Sequence, residues 1–449
     1  MTAAEAIAWT TLRAVAVAVF WAVLAPAVAA SLRGRPLWTA AAVLPIVTPG
    51  LAIGYVDRPY VLAAAPWVRD AVHAVLMAAI TLPLAVFAAR FAPPTVDARG
   101  RLAWALRRPQ TFHTRWLGAV RIAVARHRPG IAAALVAFLW TMQEAELGIL
   151  LQARGWTEWT QRQLVGGRVD LLGAIWPVLA MQAATIAAGL WFLRLATVFP
   201  LSPRSVRWPL AVVAAAVLVT TVHPVASLLG EAVRGVGGLT RQTGLVRTLG
   251  WTLTLAAVAA IAAWGLLHGL PRRGGAGFVL VGVVAVGGCG SLLLAVLVRE
   301  AVRGVAPSLL GTPLPHVLAL TLSLGPKAVA VAVVAAAHRQ PRAIRAAELI
   351  ARRSGAAPHG RSSDRSRLLF ALRDRPAGIA LAVLTWTAYF EVMPAVVLAA
   401  PGLETAPLQL YNFAHFNQIV TLAAYLLLAA VVPLAAITVA MGTAARSVR

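Results

Sequence analysis

The sequence predicts an all-α polytopic membrane protein with about eleven transmembrane helices in two parallel repeats. Three observations carry that expectation. Apolar residues make up 60% of the 449-residue chain and charged residues only 12%, whereas soluble domains carry about 25% charged residues. Many segments reach the length of about 20 apolar residues that a spanning helix needs. The two longest polar loops share one sequence pattern. The same composition excludes disorder, which requires low hydrophobicity and high net charge together.

Lipid offers backbone groups no partner, so each span is read as a helix. The spans run over 10–32, 37–55, 69–91, 129–151, 172–193, 210–229, 248–270, 277–297, 314–337, 377–399 and 419–440. The first reads as a retained span. Its small-residue end continues into Arg33 and Arg35 and a further apolar run, without the shape of a cleaved leader. Pro45, Pro49, Gly50 and Gly54 in the second permit kinks and close helix approach. Trp67, Trp140, Trp156, Trp159, Trp208 and Trp251 fall near expected interfaces and read as belt residues. Lys327, after Pro326, is expected to snorkel toward the nearby span end.

The formal net charge of +25 has a location. Of the 39 arginines, 27 fall on the loops 33–36, 92–128, 194–209, 271–276, 338–376 and 441–449, and nine on the alternate set. Arginine marks the cytoplasmic side, so the C-terminus is expected inside and, with eleven spans, the N-terminus outside. A basic nucleic-acid surface is excluded because the arginines lie on six cytoplasmic loops between spans, 18 of the 27 on just two of them, rather than on a soluble module. Cys289 is the single cysteine, which rules out an intramolecular disulfide and a thiolate zinc site.

The basic loops 92–128 and 338–376 lie six spans apart. Each follows a proline-containing span (Pro83, Pro326) and precedes a span opening on Pro-Gly or Pro-Ala-Gly. Each contains a short amphipathic stretch, 96–108 and 341–353. In the second, Ile344, Ala347, Leu349 and Ile350 face apart from Arg342, Arg345, Arg352 and Arg353. The following spans carry Glu146 and Glu391, then outside turns around Gly155 and Gly402. A six-span offset keeps both copies in one orientation, so a parallel repeat is expected, 1–205 and 206–449.

These stretches resemble the inner-membrane permease subunits of bacterial ATP-binding-cassette importers, in particular the fused two-half type of the iron(III), thiamine and phosphonate group. That family's cytoplasmic loop carries a Glu-Ala-Ala triplet and a later glycine. Here Arg345-Ala346-Ala347 stands at the triplet, with Gly355 after it, while the first loop keeps only Ala103. Both copies lack the acidic residue. The turn Pro401-Gly402-Leu403-Glu404-Thr405 is the closer match. The resemblance implies a type I importer permease fold with six spans per half, so the span missing from the first half would be its first.

It also implies contact with an ATP-binding-cassette ATPase dimer through Asp97, Arg101 and Ala103 in one loop and Arg345, Ala346, Ala347, Glu348 and Gly355 in the other. A periplasmic or lipoprotein solute-binding protein would deliver the solute: iron(III), thiamine, a phosphonate or a polyamine. The setting implied is the bacterial inner (plasma) membrane.

From the residues alone, Glu146 and Glu391 are candidates for the translocation path, because ionisable groups within spans usually face protein or water. Capping near a membrane surface is the alternative for both. No catalytic residue, metal or cofactor is expected. A phosphate-binding loop needs Lys-Ser or Lys-Thr, and Lys327, the single lysine, is followed by alanine. ATP hydrolysis is therefore expected on another subunit. Two other classes are an ion-coupled secondary transporter, which favours inverted repeats and broken helices, and a membrane-embedded transferase, which needs clustered carboxylates that the loops lack.

Overall fold

The computed structural model describes residues 2–32, 34–91, 112–165, 208–239, 244–269, 286–288, 290–338, 375–416 and 418–446, with single residues at 176, 180 and 282. These form helices and turns, with no strand among the described residues. The chain divides into two units. Unit 1 comprises Met1–Ser227 with Gly288–Gly290, and unit 2 comprises Leu228–Gly287 with Ser291–Arg449.

Unit 1 is built on three mutually packed helices, α1 (Ala3–Ser31), α5 (Pro66–Phe91) and α6 (Phe112–Gln143). A capping box starts α1: Glu5 N donates to Thr2 Oγ1 at 3.2 Å and Thr2 N donates to Glu5 Oε2 at 2.8 Å. The shared core holds Trp21, Met77, Leu82, Ala133 and Ala137. Trp21 Nε1 donates to Thr81 Oγ1 and to the Ala78 carbonyl, both at 3.0 Å, so the indole is buried with its polar atom satisfied. Small residues set the spacing: a Cβ on Gly130 would collide with the Ala22 carbonyl across the α1–α6 contact.

Between α1 and α5 the chain forms α2 (Pro36–Ala41), α3 (Leu44–Val47) and α4 (Gly50–Leu62). The two arms of this segment are bent by 73° at Thr48–Pro49. After α6 come two short helices, α7 (Glu146–Leu150), packed on α4, and α8 (Trp156–Val165), packed on α1. A further apolar helix is continuous from Pro209 to Leu239 and crosses the unit boundary. It is α9 (Pro209–Val217), a π-turn (Leu218–Val222) and α10 (His223–Leu239). Thr221 in the π-turn shares a 2.9 Å hydrogen bond with Thr48 at the bend.

Unit 2 has a similar order among its described helices. Three helices pack mutually, α11 (Leu245–Gly269), α13 (Leu314–His338) and α14 (Arg375–Tyr389). Before α13 lies α12 (Ser291–Val305), and after α14 come α15 (Val392–Val397), packed on α12, and α16 (Ala406–His415), packed on α11. The long α17 (Ile419–Arg446) packs on α14 and α16.

Among the described residues, five helices are long and apolar enough to cross a membrane: Ala3–Ser31, Pro66–Arg90, Pro209–Leu239, Leu245–His268 and Ile419–Ala436. Counting the bent segment 37–62 as one span makes six. These match six of the eleven segments expected from sequence. Span 172–193, apart from residues 176 and 180, and most of 277–289 lie outside the described residues. Three expectations change. Residues 112–128, read as loop, are the first part of α6, because scattered arginines lower hydropathy without lowering helix propensity. Residues 298–305, read as loop, complete α12, whose Arg299 and Arg303 pair with Glu300 at 3.1 and 3.9 Å. The segments 129–151 and 377–399 are each interrupted before their short last helix. Trp156 is no belt residue: it is 1% exposed and stacked on Trp159.

Candidate functional site

Both interruptions place a carboxylate where a long helix stops. In unit 1, α6 ends at Gln143 and Glu144 takes over the next backbone donors. Leu147 N donates to its Oε1 at 2.5 Å and Gly148 N to its Oε2 at 3.1 Å. A side chain that satisfies N–H groups of the following turn competes with the helical ladder and starts a new helix instead. His73 on α5 closes the arrangement, its Nε2 3.3 Å from Glu144 Oε2. Glu144 thus joins α5, the end of α6 and the start of α7.

In unit 2, α14 ends at Tyr389 and Glu391 precedes α15. Its carboxylate makes no capping bond to α15. Instead it accepts from Lys327 Nζ on α13 at 2.7 Å, with the two side chains 15% and 11% exposed. Lys327 therefore does not snorkel to a span end, because a carboxylate within reach supplies the partner it would otherwise seek in water.

Glu146 and Glu391 do not occupy matching places. Glu146 is the first residue of α7, and its Oε2 lies 3.5 Å from where a Cβ on Gly50 would stand. By helix break and basic partner, the counterpart of Glu391 is Glu144. The sequence hid this because Glu144 and Glu146 stand two residues apart in one apolar stretch. The basic partner, His73 or Lys327, is distant in sequence.

Unit 1 also holds a buried charge cluster that sequence reading missed. Asp70 accepts three bonds from Arg154, from N at 2.9 Å, Nε at 2.8 Å and Nη2 at 2.7 Å, and a fourth from Arg13 Nη1 at 3.2 Å. Arg154 also lies over the Trp9 ring at 3.8 Å. Gly155 admits the Arg13 guanidinium, which a side chain there would strike. Trp156 N donates to Thr10 Oγ1 at 2.7 Å, tying the start of α8 to α1. Unit 2 repeats that last bond: Ala406 N, at the start of α16, donates to Thr252 Oγ1 on α11 at 2.7 Å.

On α8, Glu158 pairs with Arg162 at 2.6 Å. Burial holds the Glu158 carboxyl above its usual range, with Arg162 and Arg13 pulling it back. His223 Nε2 lies 3.4 Å from Asp57 Oδ1, beside the π-turn. Among the described residues no three His, Cys, Asp or Glu side chains group as a metal site. The loop residues Asp97, Arg101, Ala103, Arg345, Ala346, Ala347, Glu348 and Gly355 lie outside the described residues. No family model, curated protein or solved structure matches this chain.

Proposed function

We propose that this chain is the permease subunit of an ATP-driven solute importer, with about eleven spans in two parallel repeats. One observation carries the reading. Among the described residues each unit has a long helix, one or more further helices, a second long helix, a third helix, a break with a carboxylate held by a basic side chain, and two short helices. The last short helix starts on a hydroxyl of the first long one, Thr10 or Thr252. Duplication of one half explains this series, and internal repeats of this kind suit a permease.

In this reading the stretches 96–108 and 341–353 seat in separate ATPase subunits at the cytoplasmic face. The residues in contact are Asp97, Arg101, Ala103, Arg345, Ala346, Ala347, Glu348 and Gly355. In each unit the helices on either side of the basic stretch are also joined at the break, by the His73–Glu144 hydrogen bond or the Lys327–Glu391 ion pair. Movement at the loop therefore reaches the break through the helix pair. A solute-binding protein delivers the solute from the opposite face. The C-terminus lies in the cytoplasm of a bacterial cell, and the membrane is its inner one.

The broken helices with charge at the breaks favour a second reading, an ion-coupled secondary transporter. Uptake into inverted or right-side-out vesicles separates the two. ATP-driven uptake that stops with vanadate and survives collapse of ion gradients supports the importer. Uptake that stops with ionophores and ignores ATP supports the secondary transporter.

A further inference from the structure

We propose that Lys327 and Glu391 form an exchangeable ion pair, in which an anionic oxyacid group of the solute (phosphonate, phosphate or carboxylate) takes the place of Glu391 on the Lys327 ammonium. The proposal rests on the permease reading and adds a solute class to it.

The first support is the contrast between the two breaks. Glu144 is committed to the backbone of α7 through Leu147 N and Gly148 N, so its removal would undo a helix start. Glu391 has no such duty toward α15. Turning it away from Lys327 breaks one ion pair and no capping bond.

The second support is residue type. The chain uses arginine at 39 basic positions and lysine at one. A guanidinium holds a carboxylate as a rigid fork, often through two parallel bonds. An ammonium is a point charge on a flexible stem with three donors. It can keep one oxygen of Glu391 while taking an oxygen of an incoming anion, and then release the first. The one position with lysine is a pair in which an exchangeable partner is useful.

The third support is enclosure. The pair is largely enclosed but not sealed, at 15% and 11% exposure. Enclosure strengthens the attraction between the ammonium and an anion beside it.

The single lysine supplies the test. The full chain is purified in detergent, and Lys327 acylation by an amine-reactive ester is followed by mass spectrometry. Wild-type labelling is slow, and Glu391→Gln raises it because the ammonium loses the carboxylate that holds its charge. Millimolar methylphosphonate or inorganic phosphate slows labelling of Glu391→Gln, whereas thiamine and spermidine do not. Lys327→Arg keeps the assembled chain but weakens solute uptake by about tenfold or more, the scale of one charge-assisted hydrogen bond. The double variant Lys327→Gln/Glu391→Gln removes both charges together and serves as the folded control.

Protection by spermidine in place of phosphate overturns the proposal. So does protection by phosphatidylglycerol micelles alone, which would make the site a lipid headgroup site. Wild-type uptake by Lys327→Arg also overturns it. ATP-driven uptake without anion protection sinks this inference and spares the permease. Anion protection with uptake independent of ATP does the reverse.

Discussion

Asp70 sets the charge balance of unit 1, because two guanidinium groups, Arg13 and Arg154, converge on one carboxylate. Removing one member of a buried pair strands the other charges. Asp70→Ala is expected to cost about 3–5 kcal/mol, read as loss of thermal stability in detergent. Glu144→Ala removes the two capping bonds of α7 and is expected to cost about 1–2 kcal/mol by the same measurement. Glu158 gives a pH signature. Its carboxyl is held above the unfolded value, so folding disfavours its ionised form. That contribution is favourable below the unfolded value and is lost as pH rises through the raised one. Glu158→Gln should remove this part of the pH slope of the melting temperature. None of these partners was legible in sequence. Asp70 and Arg154 stand 84 residues apart, and Thr10 and Trp156 stand 146 apart. A single sequence carries no sign of such pairing. Glu391 was singled out because a charge within an apolar span is conspicuous by itself.

At the scale of elements, the long helices were legible because their apolar runs exceed what any loop tolerates. Ala3–Ser31, Pro66–Arg90 and Leu245–His268 fall where hydropathy put them. The breaks were not legible, because a hydropathy window averages over them. The stretch around Glu144 stays apolar overall while one carboxylate redirects the backbone. Charged extensions failed for the opposite reason: Arg299, Glu300 and Arg303 read as loop but pair along one turn of α12. The recurrent bond between the first long helix and the last short one invites a paired test. Thr10→Val and Thr252→Val should each cost about 1 kcal/mol and speed hydrogen exchange at the Trp156 and Ala406 amides respectively. Equal effects in the two units fit one element used twice. Gly130→Val should separate α1 from α6 and lower the yield of folded protein, since the added methyls meet the Ala22 carbonyl.

At the scale of the whole molecule, the distribution of arginine was the strongest sequence signal. It marked two basic stretches, and in each unit the helices on either side are joined at the break, by the His73–Glu144 hydrogen bond or the Lys327–Glu391 ion pair. The matching order of elements in the two units supports the duplication, although the register differs from the sequence expectation. Trp156 corresponds to Ala406 through the shared bond, whereas sequence pattern had aligned Gly155 with Gly402. Turn motifs drift in position between copies, while a bond between packed helices fixes it.

The central claim is that an ATPase grips the second basic loop. It is tested by purifying the full chain from the cells that produce it, comparing wild type with a variant lacking residues 343–350. The account predicts that wild type carries ATPase activity through purification and that the deletion loses it while keeping a folded membrane domain. ATPase retained by the deletion variant, or absent from wild type, would contradict it.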